Sequence, residues 1–124
     1  MKRFSIAVFV AGVLSLAGIV VSGEARAHEE GGAGSVTGEV VDLACYLGHG
    51  GAGAGHADCA KKCIASGLPV GIKSGGTIYL AISGEHGTAN VELASLASKT
   101  VTVEGKITEK DGMHLIAISK VTPK

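Results

Sequence analysis

Residues 100–121 read TVTVEGKITEKDGMHLIAISKV, and this stretch decides the fold. Small or apolar residues recur at every second position from Val101 to Ile107, a period that is typical of a half-buried β-strand. Asp111-Gly112 predicts a tight hairpin turn, and the β-branched and apolar residues after Met113 predict the return strand. The end of the chain is therefore expected to be an antiparallel β-hairpin.

Two further strands and a helix are predicted upstream of this hairpin. Ser35–Leu43 and Thr77–Ser83 are rich in β-branched and apolar residues, as strands are. Ala57–Ser66 is predicted to be a short helix, because Gly67 follows it as a stop signal and Pro69 prevents its continuation.

The order of these elements predicts a small barrel. The OB fold is a five-stranded barrel with a helix between its third and fourth strands, and the helix-like stretch 91–98 suits that place. The remaining strand is weakly marked, at residues 69–73 or 89–92. We therefore predict a mainly β protein, either a small OB-like barrel or a partly open sheet, with a short cysteine-bearing helix inserted after the first strand.

The N-terminus has the layout of a secretion signal. Lys2 and Arg3 precede an apolar run from Phe4 to Val21, and Ala25-Arg26-Ala27 places small residues where a signal peptidase cuts. This pattern predicts a signal peptide over residues 1–27 and a periplasmic or secreted protein. A transmembrane anchor is the alternative, although the run is at the lower end of the ~17–25 residues that a spanning helix needs.

After cleavage we expect no stable membrane insertion, a flexible tail over residues 28–34 and a single OB-like domain over residues 35–124. Acidic residues slightly outnumber basic ones in 28–124, so no positive excess is present to neutralise a phosphate backbone. Tyr46 and Tyr79 are the only aromatic residues of this part, which disfavours base stacking. The expected partners are a metal ion or a periplasmic protein, and no nucleic acid.

Five candidate metal ligands fall within 19 positions: Cys45, His49, His56, Cys59 and Cys63. In the predicted helix, Cys59 and Cys63 are an i, i+4 pair on one face, and His56 lies at its entrance. Thiolate and imidazole ligands together suit copper or zinc. We therefore predict an exported metal-binding protein for carriage, sequestration or sensing, in which Cys59 and Cys63 bind with His56 and one of Cys45 or His49.

Two other functions remain open at this point. A disulfide from Cys45 to Cys59 or Cys63 would staple the intervening loop, as in many exported proteins, and closing a ~15-residue loop contributes about 3 kcal/mol in the chain-entropy model. The protein would then be a periplasmic binding module without metal. A thiol redox protein is the third interpretation. The sequence contains no hydrolase, phosphate-loop or dinucleotide motif. It therefore indicates no catalytic residue and disfavours an enzyme.

Other candidate ligands carry weaker signals. His28 would be the first residue after cleavage, where an amino group and an imidazole together chelate copper, with His86 or His114 as a second ligand. The Gly-rich surroundings of His28 favour an unanchored tail instead. Asp42 is predicted either to orient a ligating histidine or to cap a loop.

The motifs Gly38-Glu39-Val40-Val41-Asp42, Cys45-Tyr46, His56-x-x-Cys59-x-x-x-Cys63 and Gly67-x-Pro69-x-Gly71 are followed by a closing Val-Thr-Val-x-Gly-Lys strand. Together they resemble small exported bacterial proteins with OB-like barrels, a group without an established activity. The resemblance covers most of residues 28–124 and implies the fold and the compartment. At the Cys-x-x-x-Cys motif alone, the chain also resembles exported copper-handling proteins.

Overall fold

The computed structural model describes residues 31–124. The predicted signal peptide and the first residues of the predicted tail lie outside this range. A 3-10 turn at Ala54–His56 comes directly before the second helix, and another at Ala94–Leu96 comes directly after the third. The strands and helices in chain order are β1 Gly32–Asp42, α1 Leu43–His49, α2 Ala57–Ala65, β2 Val70–Ser74, β3 Thr77–Ser83, β4 Gly87–Thr88, α3 Asn90–Leu93, β5 Thr100–Lys110 and β6 Met113–Pro123.

The five longer strands close into a barrel. β1 pairs antiparallel with both β2 and β5, β2 pairs with β3, and β5 and β6 form the predicted hairpin. A parallel pairing between β3 and β6 completes the circle, and the two-residue β4 adds to the side of β3. α3 lies between the third and fourth barrel strands, which confirms the predicted small OB-like barrel.

Alternation along the strands fills the interior with small apolar side chains. In β1, Val36 and Val40 are buried, whereas Ser35 and Thr37, on either side of Val36, are exposed, as a period of two requires. Other members of the same core are Ile72, Val101, Val103, Ile116 and Ile118. Two of these strands contain a glycine at which the backbones come very close.

Gly38 and Gly105 mark these close approaches. A Cβ at Gly105 would lie 2.1 Å from the Ala117 carbonyl oxygen, at the point where the β5–β6 register shifts. A Cβ at Gly38 would lie 2.3 Å from the Lys73 carbonyl oxygen, where β1 passes from β5 towards β2. Glycine therefore allows the strong coiling that a small barrel needs.

The helices α2 and α3 pack on the barrel core. Ala60 and Ile64 of α2 and Leu93 of α3 belong to the buried core. The Asn90 side-chain amide donates to the Ile64 and Leu68 carbonyl oxygens at 2.7 and 2.6 Å, which fixes the end of α2 against the start of α3. Apolar packing of its buried face and hydrogen bonds at its C-terminal end therefore hold α2 on the barrel.

Several details differ from the sequence-based predictions. β1 begins at Gly32, because residues 32–34 of the predicted tail pair with β5. The weakly marked strand is β2, at the first of its two predicted places. The helix α1 was not predicted at all. Asp111 and Gly112, with φ of 53° and 80°, confirm the predicted hairpin turn.

Within residues 31–124, no helix combines the length and apolar character needed to cross a membrane.

Candidate metal centre

Helix α1 presents the first two donors. Its N-cap is Asp42, whose carboxylate accepts hydrogen bonds from the backbone N–H groups of Ala44 and Cys45 at 3.1 and 3.2 Å. Gly50, at a φ of 73°, ends the helix in the left-handed conformation that favours glycine. These two signals define a short helix on which Cys45 and His49 lie four positions apart and share one face.

Helix α2 presents the second pair. Ala60 and Ile64 are its buried positions, and they pack on the barrel. Cys59 and Cys63 each precede one of these residues, about 100° around the helix, and so lie beside the buried face. The predicted helix and its i, i+4 cysteine pair are therefore present, and the pair is directed to one side of the barrel contact, where α1 lies.

The three thiols converge between the two helices. The sulfur atoms of Cys45, Cys59 and Cys63 all lie within 4.8 Å of one another. Cys45 and Cys63 are half-buried, Cys59 is exposed, and all three are free thiols. Sulfurs that share one tetrahedral zinc ion, at about 2.3 Å from the metal, are roughly 3.8 Å apart. The three cysteines could therefore hold a metal ion after a small contraction.

The two histidines form a different group. One nitrogen of His49, one of His56 and the Cys45 sulfur lie within 4.8 Å of one another. The imidazole rings meet edge to face, with 5.5 Å between their centroids and an interplanar angle of 70°. Among residues 31–124, no imidazole nitrogen joins all three sulfurs within the same distance. The predicted ligand set joins His56 to Cys59 and Cys63, whereas in the structure His56 lies in the group of Cys45 and His49.

The glycine-rich loop holds His56 in place. The Glu39 side chain accepts a hydrogen bond from the Gly53 N–H, and the His56 N–H donates to the Gly53 carbonyl at 3.0 Å. Gly51 packs on the ring so closely that a Cβ there would lie 2.6 Å from His56 Nε2. This loop is therefore anchored to β1 at its centre and closes over one side of the imidazole.

His56 has an unsatisfied polar atom. It occupies the N-cap position of α2, yet its side chain makes no capping hydrogen bond. Its Nε2 is buried and has no hydrogen-bond partner within the described part of the chain. Buried polar atoms are nearly always paired with protein, water or a ligand. The buried, unpaired imidazole nitrogen of His56 is therefore suited to bind a partner from outside the protein.

A buried carboxylate controls the acidity of Cys45. Asp42 is fully buried, and the Cys45 thiol donates a hydrogen bond to its carboxylate. This bond, with burial and the adjacent negative charge, raises the pKa of Cys45 to about 12. Burial, followed by the hydrogen bond with Cys59, raises the pKa of Cys63 above its ordinary value of 9.0. Without a metal, these two thiols stay protonated at neutral pH.

Asp42 also accepts a hydrogen bond from the Cys45 thiol, a role that was not predicted. Of its two predicted roles, capping is the one observed, although the capped element is a helix. The weaker candidates lie elsewhere: His86 is exposed, and His114 contacts Glu109 and the Tyr79 ring. His28 is outside the described residues. The contact between Asp42 and Cys45 could have been predicted from the sequence, because the two residues lie three positions apart at a helix N-terminus.

A separate apolar groove lies on another side of α1. It has a volume of about 400 Å³ and is lined by Leu43, Leu47, Ile78, Leu80 and Met113, with His114 at its margin. Leu47 and Met113 are 75% and 69% exposed. The groove contains no thiol and only one of the described histidines, so it is distinct from the cysteine cluster.

Comparison with known proteins adds no functional assignment. No protein-family model matches the chain, and no match was found among curated proteins or among solved structures. A function is therefore inferred from the geometry of the cysteine and histidine groups alone.

Proposed function

We propose that this protein is exported and binds copper or zinc through Cys45, Cys59 and Cys63, for carriage, sequestration or sensing. The observation that carries the proposal is the convergence of the three sulfur atoms within 4.8 Å from two different helices. Thiolates are soft ligands, so they favour Cu(I) and Zn(II) over the hard cations that oxygen ligands bind. The signal peptide predicted over residues 1–27 supports action outside the cytoplasm.

The exposure of the site favours exchange of the ion. Cys59 is exposed, whereas Cys45 and Cys63 are half-buried. An incoming ligand can therefore displace one thiolate while the other two still hold the metal. The barrel also has its own apolar core, so its folding does not need the ion as in a zinc finger. Both features support carriage or buffering more than a purely structural metal.

The experiment is a metal titration on protein kept reduced. The natively purified protein is analysed for its metals, then titrated with Zn(II) or Cu(I) against a chromophoric chelator. We expect tight binding that Cys45→Ser, Cys59→Ser and Cys63→Ser each weaken by at least tenfold, since each removes one of three ligands. His86→Gln, in an exposed turn, is the matched control and should leave affinity unchanged. Absence of tight binding to the reduced protein would refute the proposal.

The same proximity favours a second candidate, the disulfide-stapled binding module. Cys45 lies on α1, and Cys59 and Cys63 lie on α2. After a small approach of the helices, an oxidant of the exported compartment that accepts two electrons could join Cys45 to one of them, with release of two protons. Thiol titration of protein taken directly from the periplasm distinguishes the two. Two oxidised cysteines and little metal would favour the staple, whereas three thiols and bound metal would favour the metal site.

A further inference from the structure

We infer that the protein has a second metal site, formed by Cys45, His49 and His56, which shares the Cys45 thiolate with the three-cysteine site. This inference rests on the proposed function, because it needs the first site to bind metal. The second ion would be of the same kind, Zn(II) or copper, since thiolate with imidazole suits both. The pair would be a thiolate-bridged dinuclear centre.

The division of the donors supports two ions. The five donor atoms form two groups of three, and Cys45 is the only residue in both. A single tetrahedral ion would need its fourth donor close to all three sulfurs, and within the described chain no imidazole nitrogen is within 4.8 Å of all of them. A thiolate sulfur has lone pairs for two metal ions, so Cys45 can complete both groups.

The histidine group also has the features of a ligand site in its own right. His49 and Cys45 are an i, i+4 pair on α1, as Cys59 and Cys63 are on α2. His56 Nε2 is buried without a partner, and the Gly53–Glu39 hydrogen bond holds its loop against β1. Neither histidine belongs to the three-cysteine group, so their convergence on the Cys45 sulfur forms a separate set of donors.

The charges agree with two cations better than with one. Three thiolates and the buried Asp42 carboxylate carry four negative charges at one point between the helices. Two Zn(II) ions neutralise all four charges, whereas one leaves two uncompensated next to a residue that is fully buried. Uncompensated charge in such a place is costly. The carboxylate lies beside the thiolate that the two ions would share.

The test is the number of ions that the reduced protein binds at saturation. Zinc content is measured by native mass spectrometry and equilibrium dialysis on the natively purified protein. We expect two ions for the wild type, and one each for the double variants His49→Ala/His56→Ala and Cys59→Ser/Cys63→Ser. Two ions are also expected for the control His86→Ala/His114→Ala. Far-UV circular dichroism checks that the variants remain folded.

The outcomes separate this inference from the proposed function. A wild type that saturates at one ion, with His49→Ala/His56→Ala unchanged, would overturn the second site and leave the three-cysteine site intact. A wild type that binds no ion would overturn both. The wild-type count decides the matter even if a variant fails to fold. X-ray absorption on the protein with two zinc ions should show a short metal–metal distance, and its absence would contradict the shared thiolate.

Discussion

The barrel and the helical segment that follows β1 are built on different principles. The barrel interior consists almost entirely of apolar side chains placed by strand alternation, and Ile72, Val101 and Ile116 are fully buried. Residues 43–65 bury few side chains, and their notable contacts are polar: a cap, an anchored loop and converging thiols. Stability therefore lies mainly in the barrel, and chemistry lies in the segment attached to it.

The largest expected effect is on the barrel. Ile116→Ala removes a fully buried side chain from β6 and should lower the free energy of unfolding by about 2–5 kcal/mol. Cys59→Ser, at an exposed position, should change the stability of the metal-free protein very little. Chemical denaturation of both variants without metal measures the contrast. Equal losses would show that the helical segment is as important to stability as the core.

The next effect concerns the loop over His56. Gly51→Ala places a methyl group 2.6 Å from His56 Nε2, so the ring must move away from its position near Cys45. We expect about a tenfold loss of affinity for the second ion, as for other changes next to metal ligands, with the three-cysteine site unaffected. The histidine ring signals in NMR spectra report the displacement directly.

Gly48→Ala is the matched control, because a Cβ at Gly48 meets no atom within 4 Å. It adds the same methyl group to the neighbouring end of α1 without touching His56. If both variants lower the affinity for the second ion equally, the effect belongs to the loop in general, and the contact with His56 Nε2 is not its cause.

A smaller effect is expected at Asp42, where the two regions meet. Asp42→Ala removes the N-cap of α1 and should cost about 1 kcal/mol of stability. Asp42→Asn keeps a capping side chain but removes the negative charge, so most of that stability should return. In both variants the pKa of Cys45 should fall, because its hydrogen bond to a carboxylate is lost. Alkylation rates measured against pH by mass spectrometry would show a faster reaction at Cys45, and an unchanged rate would contradict this cause.

The same contrast explains what the sequence could predict. The β5–β6 hairpin and a helix at Ala57–Ser66 were predicted because strand alternation and stop signals are local. β2 was ambiguous because its five residues are too few to show a period. α1 was missed because its signals, Asp42 before it and Gly50 after it, flank only seven residues that continue an apolar strand.

That omission also affected the site. All five candidate ligands were identified from their residue types and their spacing. Their division into two groups was not, because it depends on the helical turn that brings Cys45 and His49 to one face of α1. The contact of the Cys45 thiol with Asp42 follows from the same turn. Residue types therefore predicted the chemistry, while the arrangement required a helix whose signals are short.

A further effect should appear in the pH dependence of the metal-free protein. The pKa of Cys45 is about 12 in the folded chain, against an ordinary value of 9.0, so above pH 9.0 the unfolded chain releases this proton first. Ionisation then favours the unfolded state, and stability should fall as the pH rises from 9.0 towards 12. Cys45→Ser removes this contribution, while all other side chains are common to both proteins. The difference in unfolding free energy between wild type and variant should therefore change with pH in that window and stay constant below it. A constant difference throughout would mean that the Asp42 carboxylate does not hold the proton on Cys45, and would remove the proposed link between the buried end of β1 and the thiols of the helical segment.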